Sequence, residues 1–149
     1  MSNPTSEQIK PATDEIPYSF TEPATPALRS IRAIVADLSR TVNKQRLKQR
    51  QQAGRTLDYL PWYQAVRYLD NYAPGWRYEI RSVNQVGDNL VMVARITIPC
   101  LEGECWREAS ALEVIEDPKR YGNAATNCES AALRRAAAKF GLCLYLYDK

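Results

Sequence analysis

Histidine is missing from this 149-residue chain. Its absence removes the commonest nitrogen ligand for zinc and the side chain whose proton equilibrium lies nearest neutrality. Serine and cysteine hydrolase arrangements built on histidine are thereby excluded, and covalent catalysis would have to rest on carboxylates, lysine or tyrosine. The four cysteines, Cys100, Cys105, Cys128 and Cys143, form no CxxC pair, so a zinc ribbon or finger lacks its ligand spacing. Cys128 and Cys143 lie among alanine and leucine, where a free thiol behaves as a small buried hydrophobe, and all four read as reduced structural thiols. Neither a metal nor a cofactor is expected. Long apolar runs are missing too. Nothing approaches the ~18 residues of a membrane span, and "MSNPTSEQIKPATDE" lacks the basic-then-apolar pattern of a secretory leader. The expectation is a cytoplasmic chain with no membrane partner.

What is present fits one globular core: 45% hydrophobic and 25% charged residues over one domain's length. The net charge of +3 conceals an asymmetry. Residues 1–27 carry one lysine against four acids, a net of −3, and residues 56–149 a net of −1. Between them, residues 28–55 carry eight lysines and arginines against Asp37 alone, a net of +7. Such a block is either a solvated face or the footprint of a polyanion-binding arm.

Residues 1–27 hold Pro4, Pro11, Pro17, Pro23 and Pro26 among small polar residues, which reads as a disordered acidic tail. From Leu28 the apolar spacing turns helical through Ile31, Ile34, Val35, Leu38 and Val42. With Thr25 and Pro26 as start and Gly54 as stop, this predicts a basic N-terminal helix over 28–53. "RTLDYL" predicts a short strand. The next helix, over "PWYQAVRYLDNY", has Trp62, Ala65, Val66 and Leu69 as its buried stripe and ends before Pro74 and Gly75. Three alternating runs, "WRYEIRSV", "LVMVARITI" and "CWREASALEVI", are separated by the turn-forming "VGDN" and "LEGE". Short turns make them an antiparallel meander. Arg77, Arg81, Arg95 and Arg107 are expected on its less apolar face, either for solubility with acidic partners or as a phosphate track.

After the loop "EDPKRYGN", a closing helix is capped by Asn123 and ended by Gly141. At about 100° per residue, Ala132, Leu133, Ala136, Ala137 and Phe140 fall on the arc facing the sheet. Arg134 and Arg135 lie off that arc, with Asn127, Ala131 and Ala138 assigned to the outer face. Small residues flanked by two guanidinium groups let a nucleic-acid backbone approach while each arginine forks onto a phosphate. Solvated charge on an alanine-rich helix, or an oligomer interface, fits the same periodicity.

The run "ESAALRRAAAKFGLCLYLYDK" resembles the signature helix of the Rad-fifty-two superfamily of single-strand annealing proteins. "RQQAGRTLDYLPWYQAVRYLDNYAPGWRYEI" and "EDPKRYGN" are similar to that family's upstream segments in the same order, so the resemblance covers roughly residues 46–149. The flavour is that of a compact bacterial branch of DNA-damage-response annealing proteins. The resemblance implies an α+β fold, a three-stranded antiparallel sheet in a β-β-β-α core with helices packed on it. It implies one domain over 28–149 that assembles into homo-oligomeric rings, with single-stranded DNA in a basic groove. The family's paired basic residues match Arg134 and Arg135, and its arginine before a glycine run matches Arg50. The next basic position, one helical turn on, is Ala138, with Lys139 its neighbour. Arg67 substitutes for a family basic residue at the start of the first core helix, and Lys119 and Arg120 form a shortened basic loop. Arg95 completes the candidate DNA-binding set from the sheet.

Annealing needs no covalent chemistry. Neutralised phosphates hold the strand while exposed bases remain free to pair. The expected function is therefore non-enzymatic: single-stranded DNA binding and annealing in recombinational repair, by a nucleoid-associated protein, with a single-strand-binding protein or recombinase as a further partner. Tyr63, Tyr121 and Trp62 are candidates to stack on bases, with Trp62 assigned first to the core or an interface. Two other readings stand beside annealing. One is a module that protects or recruits DNA ends or single strands without annealing them. The other is a metal-dependent nuclease using Glu102, Glu104, Glu108 or Glu113, which lacks a DxxD or ExK constellation.

Overall fold

The computed structural model describes residues 28–120 and 122–148. The acidic segment 1–27, the helix start at Thr25 and Pro26, and Tyr121 lie outside the described residues. The order is α1 (Ile31–Leu38), a 3-10 turn (Lys44–Arg46), β1 (Lys48–Gln52), β2 (Arg55–Tyr59), α2 (Trp62–Tyr72), β3 (Arg77–Val86), β4 (Asn89–Cys100), β5 (Gly103–Val114), α3 (Ala124–Ala138) and a closing 3-10 turn (Leu144–Leu146). The expected meander forms as β3-β4-β5, and β1 and β2 make a separate antiparallel hairpin. The architecture is thus mixed α+β, with antiparallel sheets and three α-helices among the described residues.

The expected helix over 28–53 is much shorter. Ser30 caps α1, its Oγ accepting from the Ala33 amide at 3.1 Å, and Ile34 and Leu38 are buried one turn apart. α1 ends at Leu38; Val42 is still buried in the core, but beyond it the apolar stripe stops, and a helix without an apolar face gains no packing to offset its ordering cost. The segment "KQRQQAGRTLDY" instead folds back on itself. Ala53 and Gly54 take φ of 50° and 74°, the positive pair that a two-residue hairpin turn requires. Gly54 therefore marks a turn between strands, not the end of a helix.

Strand β4 runs through the centre of the meander, with Met92, Ala94, Ile96 and Ile98 turned toward α3 and buried. Ala132, Leu133, Ala136 and Ala137 from α3, and Phe140 in the turn just after it, are all buried, matching the expected arc. Fully burying a side chain the size of Phe140 is worth roughly 1.5–3 kcal/mol. Leu38, Leu60, Leu69 and Leu142 close the main core around it, and Met92, Ala94, Ala111, Cys128 and Ala132 form a smaller cluster. All four cysteines are free, and burial pushes the Cys143 thiol up to about 12.

Three local assignments change. Trp62, expected in the buried stripe of α2, is 50% exposed, and Tyr68 fills the core in its stead. Ala138, expected on the outer face of α3, is buried, because the chain after Gly141 turns back beside it. Arg107 lies on the helix-facing side of the sheet. It pairs in register with Ile96, donates to the Lys139 carbonyl and sits 4.9 Å from the Phe140 ring centre.

Candidate nucleic-acid interface

The register of the hairpin sorts its side chains onto two faces. Lys48, Arg50 and Gln52 pair with Tyr59, Leu57 and Arg55, so these six share one face. Gln49 and Gln51 share the other with Asp58 and Thr56, to which their amides donate at 3.2 and 2.7 Å. One face is therefore cationic and the other a ladder of neutral and acidic hydrogen bonds.

The hairpin, α3 and the closing segment together line a groove of about 1080 Å³. Arg50 and Tyr59 come from the hairpin, Arg134 and Arg135 from α3, and Tyr147 from the closing segment. Tyr59 contacts two of the cations. The guanidinium of Arg50 lies 5.6 Å from its ring centre and that of Arg134 5.1 Å. Arg134 also donates from Nε to the Ser130 carbonyl at 3.2 Å, one helical turn back. Burial, and then the nearby charge of Arg50, lower the proton affinity of Arg134, although a guanidinium stays charged at any physiological pH.

Arginine partners divide this molecule into two populations. Arg29 and Arg40 pair with Asp37, Arg77 with Glu104, Arg81 with Glu79 and Glu108, Arg95 with Glu108, and Arg120 with Glu113. Among the described residues no carboxylate pairs with Arg50, Arg134 or Arg135. The acids that line the groove are engaged elsewhere. Glu113 faces Arg120 at 3.8 Å, Asp58 accepts from Gln49, and Asp117 accepts from the Lys119 amide at 3.0 Å. Three guanidinium groups on one concave surface, none in a direct carboxylate pair among the described residues, suit an external anion.

The structure brings together three of the eight sequence-predicted site residues, Arg50, Arg134 and Arg135. Lys139 borders a neighbouring hollow of about 150 Å³ with Arg135, Ala138, Leu144 and Tyr147, and its Nζ donates to the Glu108 carbonyl at 2.6 Å. Arg67 is half-buried on α2, outside the groove lining, and Lys119 is exposed in the loop before α3. Arg120 donates to the carbonyls of Val114 and Ile115, fastening that loop to the end of β5. Arg95 lies on the face of the sheet turned away from α3. It pairs with Glu108 at 2.7 Å and sits 3.8 Å above the Trp106 ring. The acids weighed for metal chemistry are dispersed likewise. Glu102 accepts from the Ile31 amide at 3.0 Å and Glu104 pairs with Arg77 at 2.9 Å. No group of three or more metal-ligating side chains forms among the described residues.

Sequence reasoning missed Tyr59, Lys48, Arg55 and Tyr147. For the first three the available signal was the alternation on either side of Ala53-Gly54, which reads equally as a hairpin. Tyr147 carried no such signal, because its position depends on how the chain returns after Gly141.

The same surface is framed by segments with recognisable relatives. The family model described as "Rad52/22 family double-strand break repair protein" matches residues 30–149. Two proteins of Arabidopsis thaliana are similar. The "DNA repair RAD52-like protein 1, mitochondrial" is 36% identical over 123 residues, covering 81% of this chain and 69% of that protein. The "DNA repair RAD52-like protein 2, chloroplastic" is 41% identical over 100 residues, covering 63% of this chain and 47% of that protein, so the match spans about half of the latter's length. Hairpin, meander and arginine-bearing helix all fall within the matched range, and this chain belongs to the Rad52/22 family.

Proposed function

We propose that this chain binds single-stranded DNA along the groove between hairpin and α3 and anneals complementary strands in recombinational repair, without covalent catalysis. The observation that carries this reading is the convergence of Arg50, Arg134 and Arg135 on one surface, with no carboxylate partner among the described residues. Guanidinium forks seat phosphates independently of sequence, and each phosphate neutralised releases condensed counterions. With the backbone on the groove floor, the bases face outward, where a second strand reaches them. The two Arabidopsis relatives are named as DNA repair proteins, in keeping with this use.

The hairpin supports a ring-forming assembly. Among the described residues its two strands pair only with each other, so each has an edge with free backbone donors and acceptors, amid largely exposed side chains. A two-stranded ribbon is marginal alone, and pairing with neighbouring copies would satisfy both edges. Repetition around a ring turns modest contacts per copy into avidity.

The test is strand pairing itself. Complementary oligonucleotides labelled with a donor and an acceptor fluorophore should pair faster with the wild-type protein than without it, and R134A/R135A should lose the acceleration. Single-strand binding without faster pairing would replace annealing by protection or recruitment.

A further inference from the structure

A second aromatic and cationic cluster lies outside the groove. Trp62 and Tyr63, at the start of α2, are 50% and 37% exposed, and their rings meet edge to face with centroids 6.0 Å apart. Lys48 stands over the Tyr63 ring at 5.4 Å, and its hydrogen bond to Tyr63 raises its proton affinity. Arg46 donates to Gln64 at 3.1 Å, setting a second cation beside the pair. The first turn of α2 contains no acidic residue. Large exposed aromatics are costly to leave in water, and cations around them select an anionic partner with flat faces over a purely apolar one.

This cluster is continuous with the groove. Lys48 shares its hairpin face with Arg50 and Tyr59. Ring contacts run through both parts: Arg134 and Arg50 approach Tyr59 within the groove, and beyond it Lys48 approaches Tyr63, which meets Trp62. We infer that Trp62 and Tyr63 form a base-stacking platform onto which a bound single strand passes from the groove, with Lys48 neutralising the backbone where it crosses the hairpin. This rests on the groove being a single-strand site. It adds a place where bases are held by their faces, so a few nucleotides per copy are kept unstacked from one another before pairing. Stacking takes any base, so the platform adds affinity without sequence preference.

The experiment uses the full chain and an oligothymidylate of about 16 nucleotides, near the upper site size of a single-strand-binding module. In W62A binding should weaken about 5- to 150-fold, the span set by base stacking on one aromatic, while the slope of log affinity against log salt stays at the wild-type value. W62F should retain most of the affinity. In W76F/W106F, which leaves Trp62 as the only tryptophan, the oligonucleotide should quench the emission. R134A/R135A is titrated alongside. If that variant loses affinity and slope while W62A binds as wild type, the platform is wrong and the groove stands. If the wild-type protein binds no oligonucleotide, both fall. A change in oligomer mass in W62A, with no quenching in W76F/W106F, would assign Trp62 to a contact with another copy and overturn the proposal.

Discussion

The guanidinium of Arg134 lies 5.1 Å from the centre of the Tyr59 ring, joining the closing helix to a hairpin strand 75 positions earlier in the chain. Arg50 approaches the same ring at 5.6 Å. The ring lets two like charges share one wall, since each is attracted to its electron-rich face. Removing it should set both arginines loose. Y59A is expected to weaken single-strand binding by about 0.5–2 kcal/mol, with Y59F close to wild type, as read by fluorescence anisotropy at fixed salt.

The two arginine populations give opposite expectations. R134A/R135A should flatten the salt dependence of single-strand binding by about 1.4 in log-log slope, at ~0.7 for each phosphate left without its arginine. R95A, whose side chain pairs with Glu108 and stacks on Trp106, should leave that slope unchanged. A salt titration of the three proteins on one oligonucleotide decides it. A wild-type slope in the double variant would assign the pair to the fold or an interface.

Gly141 lies in the turn just after α3 with φ of 108°, and a Cβ there would strike the Ser39 hydroxyl and come within 3.3 Å of the Ser39 Cβ. Both a disfavoured backbone and a steric conflict oppose any side chain. G141A should destabilise the fold by at least about 1–2 kcal/mol, detected as a lower denaturant midpoint with an unchanged m value. S39G/G141A should recover part of the loss, because only the conflict, and not the backbone strain, is relieved.

Glu102 reaches from the β4–β5 turn to accept the Ile31 amide at the start of α1, and that hydrogen bond holds its carboxyl below the usual glutamate range. A depressed carboxylate stabilises the fold above the unfolded-state value and loses that contribution as pH falls through the folded one. Wild type should therefore exceed E102A in thermal midpoint at pH 7, and the two should converge below about pH 4. A constant difference down to that pH would remove the ionised cap as the cause.

Local pattern in the sequence was enough for the meander, for Asn123 as the cap of the closing helix with Gly141 in the turn that follows it, and for the residues of its expected buried arc. These features follow from period, capping and turn chemistry within a few residues. The same pattern singled out Arg134 and Arg135 as paired arginines among alanines, and family resemblance added Arg50. Periodicity could not decide the fate of residues 39–53. An apolar stripe that runs out after Val42 leaves helix and hairpin both open for the residues beyond until the approach of Arg134 to Tyr59 and of Lys48 to Tyr63 favours the hairpin. Nor could it separate arginines with a carboxylate partner from those without one. Arg95 and Arg134 are alike in sequence terms, yet Glu108 on the adjacent strand neutralises the first, and the second faces a ring and another cation. Charge pairing depends on which strands lie side by side, so composition determined that this protein is basic over 28–55, and only the tertiary structure decided where that charge is left for a ligand.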